Sequence, residues 1–96
     1  MKEKIKNISF VIPIYNEQNR LKILIKEILF FKKKYKKIDS EFILVNDGSD
    51  DKSYQELKKV SENYKFIRLI NLQKNYGKGY ALKKGVLNAK KNYIVT

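Results

Sequence analysis

The stretch Glu41–Asp51, EFILVNDGSDD, passes from an unbroken apolar run to a polar turn around Asn46. Phe42–Val45 does not alternate, so it fits a strand buried on both faces, as in a parallel sheet. Asp47-Gly48-Ser49-Asp50 reads as a turn, with Asp50 or Ser49 placed to cap a following helix. That helix carries a weak apolar stripe at Tyr54, Leu57, Val60 and Tyr64. A buried strand, a tight turn and an amphipathic helix make one β–α unit.

The same unit recurs on either side. Upstream, Ile8–Tyr15 (ISFVIPIY) is a second continuous run, and Pro13 late in it suggests that strand pairing ends nearby. Leu21, Leu24, Ile25, Ile28 and Leu29 then fall at helical spacing, predicting a helix from about Glu17 that frays into the basic run Lys32–Lys37. Downstream, Phe66–Leu72 (FIRLINL) predicts a third strand and Tyr76-Gly77-Lys78-Gly79 a glycine-bracketed turn. A third helix follows, with Ala81, Leu82, Gly85, Val86 and Ala89 on one face. Its small residues suit a helix lying close on a sheet. Tyr93–Thr96 begins a fourth strand. The reading is an α/β fold in three layers, a mostly parallel sheet with right-handed crossovers and helices on both faces.

Composition narrows the chemistry. The chain has 96 residues, room for one domain or a piece of one. With 43% apolar residues, four glycines and one proline it is neither disordered nor of low complexity. No apolar run reaches the ~20 residues that cross a bilayer, and no signal-peptide core follows Met1–Asn7. Cysteine and histidine are both absent, which excludes disulfides, thiol chemistry and imidazole bases. Catalysis by such a chain would rest on carboxylates, backbone amides, lysines or groups outside it.

The net charge is +12, from 22 basic and 10 acidic residues. Solvent-facing lysine explains much of it. Attraction to an anionic membrane face or an anionic small molecule is a second reading, and nucleic-acid binding a third. The third is weak, because arginine, the residue that reads bases bidentately, occurs only at Arg20 and Arg68.

Ligands of open parallel sheets bind beyond the carboxyl ends of the strands, and the unusual residues cluster there. Tyr15-Asn16-Glu17 offers a ring to flank a base and two groups to hydrogen-bond it, although Asn16 and Glu17 also suit a helix start. Asp47 closes a buried strand, and a carboxylate there can accept from the imide N–H of a uracil. Asp47, Asp50 and Asp51 lie close in sequence but lack the EF-hand pattern. Asn75–Gly79 is neither a Walker A loop, since Leu72 and Gly79 stand where Gly and Ser/Thr belong, nor a Rossmann fingerprint, since Leu82 replaces the third small residue. What it does offer is close backbone approach, a helix N-terminus and Lys78, which suit a phosphate or diphosphate.

Together SFVIPIYNE (Ser9–Glu17), ILVNDGSDD (Ile43–Asp51) and NYGKGYALKKGVLNA (Asn75–Ala89) resemble the front half of a family 2 glycosyltransferase with the GT-A fold. The last segment looks most like the polyprenyl-phosphate (dolichyl-phosphate) branch. The resemblance implies a Rossmann-like, nucleotide-sugar-binding portion over residues 1–96, incomplete at the fourth strand. It implies a nucleoside pocket shaped by Pro13, Tyr15 and Glu17, with Asp47 on the uracil or guanine base and Lys78 by the ribose and phosphates. Asn16, Gly48, Ser49, Asn75, Gly77 and Gly79 would make loop contacts. It further implies a divalent cation, Mg²⁺ or Mn²⁺, held by an Asp-x-Asp beyond Thr96, so that no catalytic or metal-binding residue is expected within the chain and the segment alone is expected to be inactive. The expected donor is a UDP- or GDP-sugar. The expected acceptor is a polyprenyl phosphate, with a saccharide acceptor in cell-envelope polysaccharide synthesis, or a non-catalytic nucleotide-binding module, as alternatives. The expected place is the cytoplasm or the cytoplasmic side of a membrane, with an anionic membrane surface as a further partner and no nucleic acid.

Overall fold

The computed structural model describes residues 7–96; the opening residues read above for a signal peptide lie outside them. Strands and helices alternate as β1 (Asn7–Ile14), α1 (Leu21–Lys34), β2 (Asp39–Asp47), α2 (Ser53–Asn63), β3 (Ile67–Leu72), α3 (Lys78–Leu87) and β4 (Tyr93–Val95). The four strands form one sheet in the order β3-β2-β1-β4, and all three pairings are parallel.

β2 is the central structural element. Ile43, Leu44 and Val45 are fully buried because each face of the strand meets a helix layer. On one face Phe42 and Leu44 pack with Ile14, Leu21, Ile28, Leu57 and Ile67, under α1 and α2. On the other, Ile43 and Val45 pack with Val11 and Ala81, under α3. The expected approach of α3 is real. A Cβ on Gly85 would collide with Val11 Cγ1, so only glycine lets the helix sit this near the sheet. Val86, placed on that face from the sequence, is instead 37% exposed.

α1 begins four residues later than the spacing suggested. Residues 16–18 are drawn away from helical geometry by the neighbouring loop. Asn16 adopts φ 50°, and its Oδ1 accepts from the Asp50 amide at 2.8 Å rather than capping α1. The Gln18 amide donates to Asp51 Oδ2 at 3.2 Å, and the Lys52 amide to Gln18 Oε1 at 3.1 Å. The N-cap of α2 is Lys52 rather than Asp50 or Ser49, with no side-chain capping bond of its own. Asp51, not Asp50 or Ser49, accepts from the Ser53 amide at the helix start, at 2.9 Å.

A polar network lies near the N-terminal ends of the strands. Glu41, 5% exposed, accepts from Ser9 Oγ at 2.6 Å, the Lys90 amide at 2.8 Å and Arg68 Nη1 at 2.8 Å. Arg68 also donates to the Asn88 carbonyl at 2.8 Å, and the Lys91 amide donates to Ser9 Oγ at 3.0 Å. The loop from α3 to β4 is thereby tied to β1, β2 and β3 together, which sets where β4 enters the sheet. Burial alone would raise the Glu41 pKa. The Ser9 hydroxyl, the Lys90 amide and the Arg68 guanidinium outweigh it and hold the carboxyl below its ordinary value.

Candidate functional site

The carboxyl ends of β1 and β2 open into a cleft of about 400 Å³, lined by Pro13, Ile14, Tyr15, Glu17, Asp47, Asn75, Gly77 and Lys78. Five of these, Pro13, Tyr15, Glu17, Asp47 and Lys78, are the residues singled out from the sequence for the nucleotide. They come from the end of β1 and the residues after it, the end of β2 and the start of α3, up to 65 positions apart; the β1–β2 register places Ile14 opposite Asn46, and the Gly77 amide bond to Asp47 brings in Lys78.

Asp47 organises this cleft. It is 3% exposed. Its Oδ1 accepts from the Tyr76 amide at 2.8 Å, and its Oδ2 from the Gly77 amide at 3.0 Å and Asn75 Nδ2 at 3.1 Å. Asn75 Nδ2 also reaches the Asp47 carbonyl at 3.1 Å. The carboxylate therefore holds the turn that leads into α3. An ionised carboxylate has about four acceptor positions, so one remains, on Oδ1.

Gly48 makes the arrangement sterically feasible. It has φ 66°, and a Cβ there would collide with the Lys74 and Asn75 backbone. Gly77, at φ 100°, turns the chain into α3. The first intrahelical bond of α3 runs from the Ala81 amide to the Gly77 carbonyl at 3.1 Å, so the preceding amides have no carbonyl of their own turn. The space where side chains at Gly77 and Gly79 would stand is open. Lys78 lies at the helix start. The result is a cationic, donor-rich rim on one side of the cleft and the half-exposed Tyr15 ring, at 44%, on another.

A second cleft, of about 470 Å³, adjoins the first across Tyr15 and Asn75, which line both. Gly48 and Ser49 face this second cleft, with Asn46, Asp50, Asp51, Tyr54 and Asn71. Asn46 Nδ2 donates to Asn71 Oδ1 at 2.8 Å, and Ser49 Oγ to Asn46 Oδ1 at 2.6 Å. Asn16 lines neither cleft; its amide donates to Ser49 Oγ at 3.0 Å and so joins the two loops. The amide pair Asn46–Asn71 was not singled out from the sequence. Its one signal was an asparagine late in each of two strand runs.

The carboxylates do not converge on a cation. Asp47 is turned to the α3 loop and Asp51 to α2, and among the described residues no group of three or more potential ligands could hold a metal ion. These residues do not by themselves fit a divalent ion. No described helix is long and apolar enough to cross a membrane.

Residues 9–96 match the profile of the family described as Glycosyl transferase family 2. The chain belongs to that family. Over 92 residues it is 33% identical to a dolichyl-phosphate β-glucosyltransferase of Trichomonas vaginalis, covering 92% of this chain and 28% of the relative. Over 93 residues it is 33% identical to a poly-β-1,6-N-acetyl-D-glucosamine synthase of Staphylococcus aureus, covering 97% of this chain and 21% of the relative. The chain thus spans between a fifth and a third of the length of the family members it matches. Among solved structures, it superposes with a TM-score of 0.77 on a mannosyltransferase from Pyrobaculum calidifontis in complex with GDP-Man and Mn²⁺, at 19% identity, covering 91% of this chain and 25% of that one. The likeness establishes the GT-A fold, as the motifs at the three strand ends implied.

Proposed function

We propose that the chain is the donor-binding portion of a glycosyltransferase that moves a sugar from a nucleoside diphosphate sugar to a polyprenyl phosphate. The observation that carries this reading is the cleft at the ends of β1 and β2. It brings Tyr15, Asp47 and Lys78 together with the amides at the start of α3. Tyr15 offers a face for a base, Asp47 an acceptor for a base N–H, and Lys78 with those amides a set of donors for phosphate. In transfer from a diphosphate, charge builds on the leaving group, and donors aimed at it stabilise that charge without a proton acceptor. A lipid phosphate is already an anion and needs no strong general base to attack. The divalent cation of the proposal would be held by residues other than those described, since these do not form a site for one.

The hydrogen-bond inventory of Asp47 favours uridine. Three loop donors leave the carboxylate one acceptor position. Uracil presents a single imide N–H. Guanine presents two adjacent donors and would need both oxygens. A saccharide acceptor is the second reading, favoured by similarity to the poly-N-acetylglucosamine synthase.

The test is calorimetric titration of the full-length protein with UDP and GDP, followed by transfer assays with Mg²⁺ or Mn²⁺ and a panel of UDP-sugars. Polyprenyl phosphate and oligosaccharide acceptors are supplied separately. Transfer to the lipid phosphate supports the first reading and transfer to the saccharide the second. Binding without transfer to either identifies a nucleotide-binding module, and absence of nucleotide binding refutes the donor site.

A further inference from the structure

We propose that the outward face of α1 is a docking surface for an anionic lipid bilayer. At about 100° per residue, Ile23 and Phe30 fall within about 20° of each other and opposite the buried Leu21 and Ile28. The structure agrees. Leu21 and Ile28 are 1% and 2% exposed, whereas Ile23 and Phe30 are 60% and 64% exposed. An α-helix that covers a sheet has one apolar stripe, and α1 has a second one facing away from its own core. With Tyr35, these residues border a shallow apolar hollow of about 460 Å³ whose rim includes Lys26 and Glu27.

The charge around this stripe selects the occupant. Around it α1 carries Lys22, Lys26, Lys33 and Lys34 against the single acid Glu27, and Lys36 and Lys37 follow; Lys32 is turned to the core side, where its Nζ donates to the Ser40 carbonyl at 3.1 Å. Lys34 Nζ lies 5.7 Å from the Phe30 ring and 5.5 Å from the Tyr35 ring, so ammonium and aromatic groups share one surface. A second copy laid on this face would set the same lysines against each other with only Glu27 to oppose them. A bilayer surface bearing anionic headgroups meets both demands. Phosphates lie at the level of the lysines, and the acyl boundary lies just beneath, within reach of Ile23 and Phe30. The docking also has a use if the acceptor is a polyprenyl phosphate, and in that respect alone it rests on the proposed function. Glu17 lines the donor cleft, and its carbonyl accepts from the Arg20 and Leu21 amides at 2.8 and 3.1 Å as the chain enters α1. A bilayer along α1 would therefore run up to the Tyr15–Glu17 wall of that cleft.

The experiment is co-sedimentation of the full-length protein with phosphatidylcholine vesicles, with and without phosphatidylglycerol, at low and high salt. Binding is expected to require phosphatidylglycerol and to weaken with salt. The double variant Ile23→Ser/Phe30→Ser should lower partitioning by about tenfold or more at an unchanged melting temperature. The triple variant Lys26→Ala/Lys33→Ala/Lys34→Ala should do the same, and it decides the matter if the double variant melts early. Equal binding to neutral vesicles, or wild-type binding by both variants, overturns the proposal. So does a change of oligomeric state in the double variant with vesicle binding retained, which would give the face to a second copy. UDP titration of the same samples keeps the two readings apart. Vesicle binding without nucleotide binding would refute the donor site and leave the docking surface standing.

Discussion

Replacing Asp47 tests the site at its centre. On the proposed reading, Asp47→Ala removes one charge-assisted hydrogen bond to the base, worth about 1.5–3 kcal/mol, or about 10- to 100-fold in UDP affinity. The α3 loop loses more. The Tyr76 and Gly77 amides, now bonded at 2.8 and 3.0 Å, are left without their acceptor, as is Asn75 Nδ2 at 3.1 Å. A loosened turn would carry Lys78 out of place, so the combined loss should reach or exceed the upper end of that range. Two comparisons separate the contributions. CDP has a base of the same size with an acceptor where uracil has its imide N–H, so wild-type protein should bind it about 10- to 100-fold more weakly than UDP. GDP should also bind more weakly than UDP, because Asp47 has a single free acceptor position. In Asn75→Ala a second position opens on Oδ2, and the preference for UDP over GDP should narrow. All of this is read by calorimetric titration of the full-length protein. Unchanged UDP affinity in Asp47→Ala would refute the base contact, and equal affinity for UDP and GDP in the wild type would refute the inventory argument.

Three further outcomes follow from the same geometry. Lys78→Ala should weaken UDP binding by roughly tenfold and leave uridine binding nearly unchanged if, as proposed, the charge serves phosphate; equal losses for the two ligands would make the loop merely structural. Gly48→Ala should lower the melting temperature and cost about 2 kcal/mol or more, since its Cβ meets the Lys74–Asn75 backbone at a left-handed φ; thermal denaturation reads it. Glu41→Ala should destabilise the fold by about 1–3 kcal/mol, by leaving the Lys90 amide and the Ser9 hydroxyl without their acceptor and Arg68 with the Asn88 carbonyl alone. The Glu41 carboxyl is held below its ordinary value of 4.5 in the folded state, so its contribution is present above that pH and is lost as pH falls through the lower folded value. In Glu41→Ala that part of the acid-induced loss of stability should disappear.

The order of elements was legible because each buried strand is a continuous apolar run ended by a polar turn. The cleft residues were legible because parallel sheets gather their loops at one end. Boundaries slipped where a side chain reached outside its own segment. Asn16 and Gln18 serve the 49–52 loop, a partner 33 or 34 positions away, so local spacing misplaced the α1 start. Glu41 escaped notice for the opposite reason. It was read only as the first residue of a buried strand, and its partners Ser9, Arg68 and Lys90 come from three other segments. Asp47 drew attention as a base contact, while its three bonds to the α3 loop depend on a turn whose shape no spacing reveals.

Those two carboxylates explain one another. Both sit on β2, six positions apart, a rise of about 20 Å along a strand. Asp47 receives the turn that enters α3, and Glu41 receives the loop that leaves it. Between these anchors α3 lies against the sheet through the buried Ala81 and Gly85, with Leu82 the one large apolar side chain of the helix packed beside them. A helix seated by small residues gains close approach but little burial, so its two ends must be fixed by polar bonds instead. That division of labour gives the donor cleft a cationic rim whose position depends on β2 rather than on hydrophobic packing of α3. It also means that Glu41→Ala, at the far end of the strand, should weaken UDP binding through the helix while leaving the Asp47 contacts chemically intact. If UDP affinity at a temperature well below melting is unchanged in that variant, α3 is held by its packing after all, and the two anchors act independently.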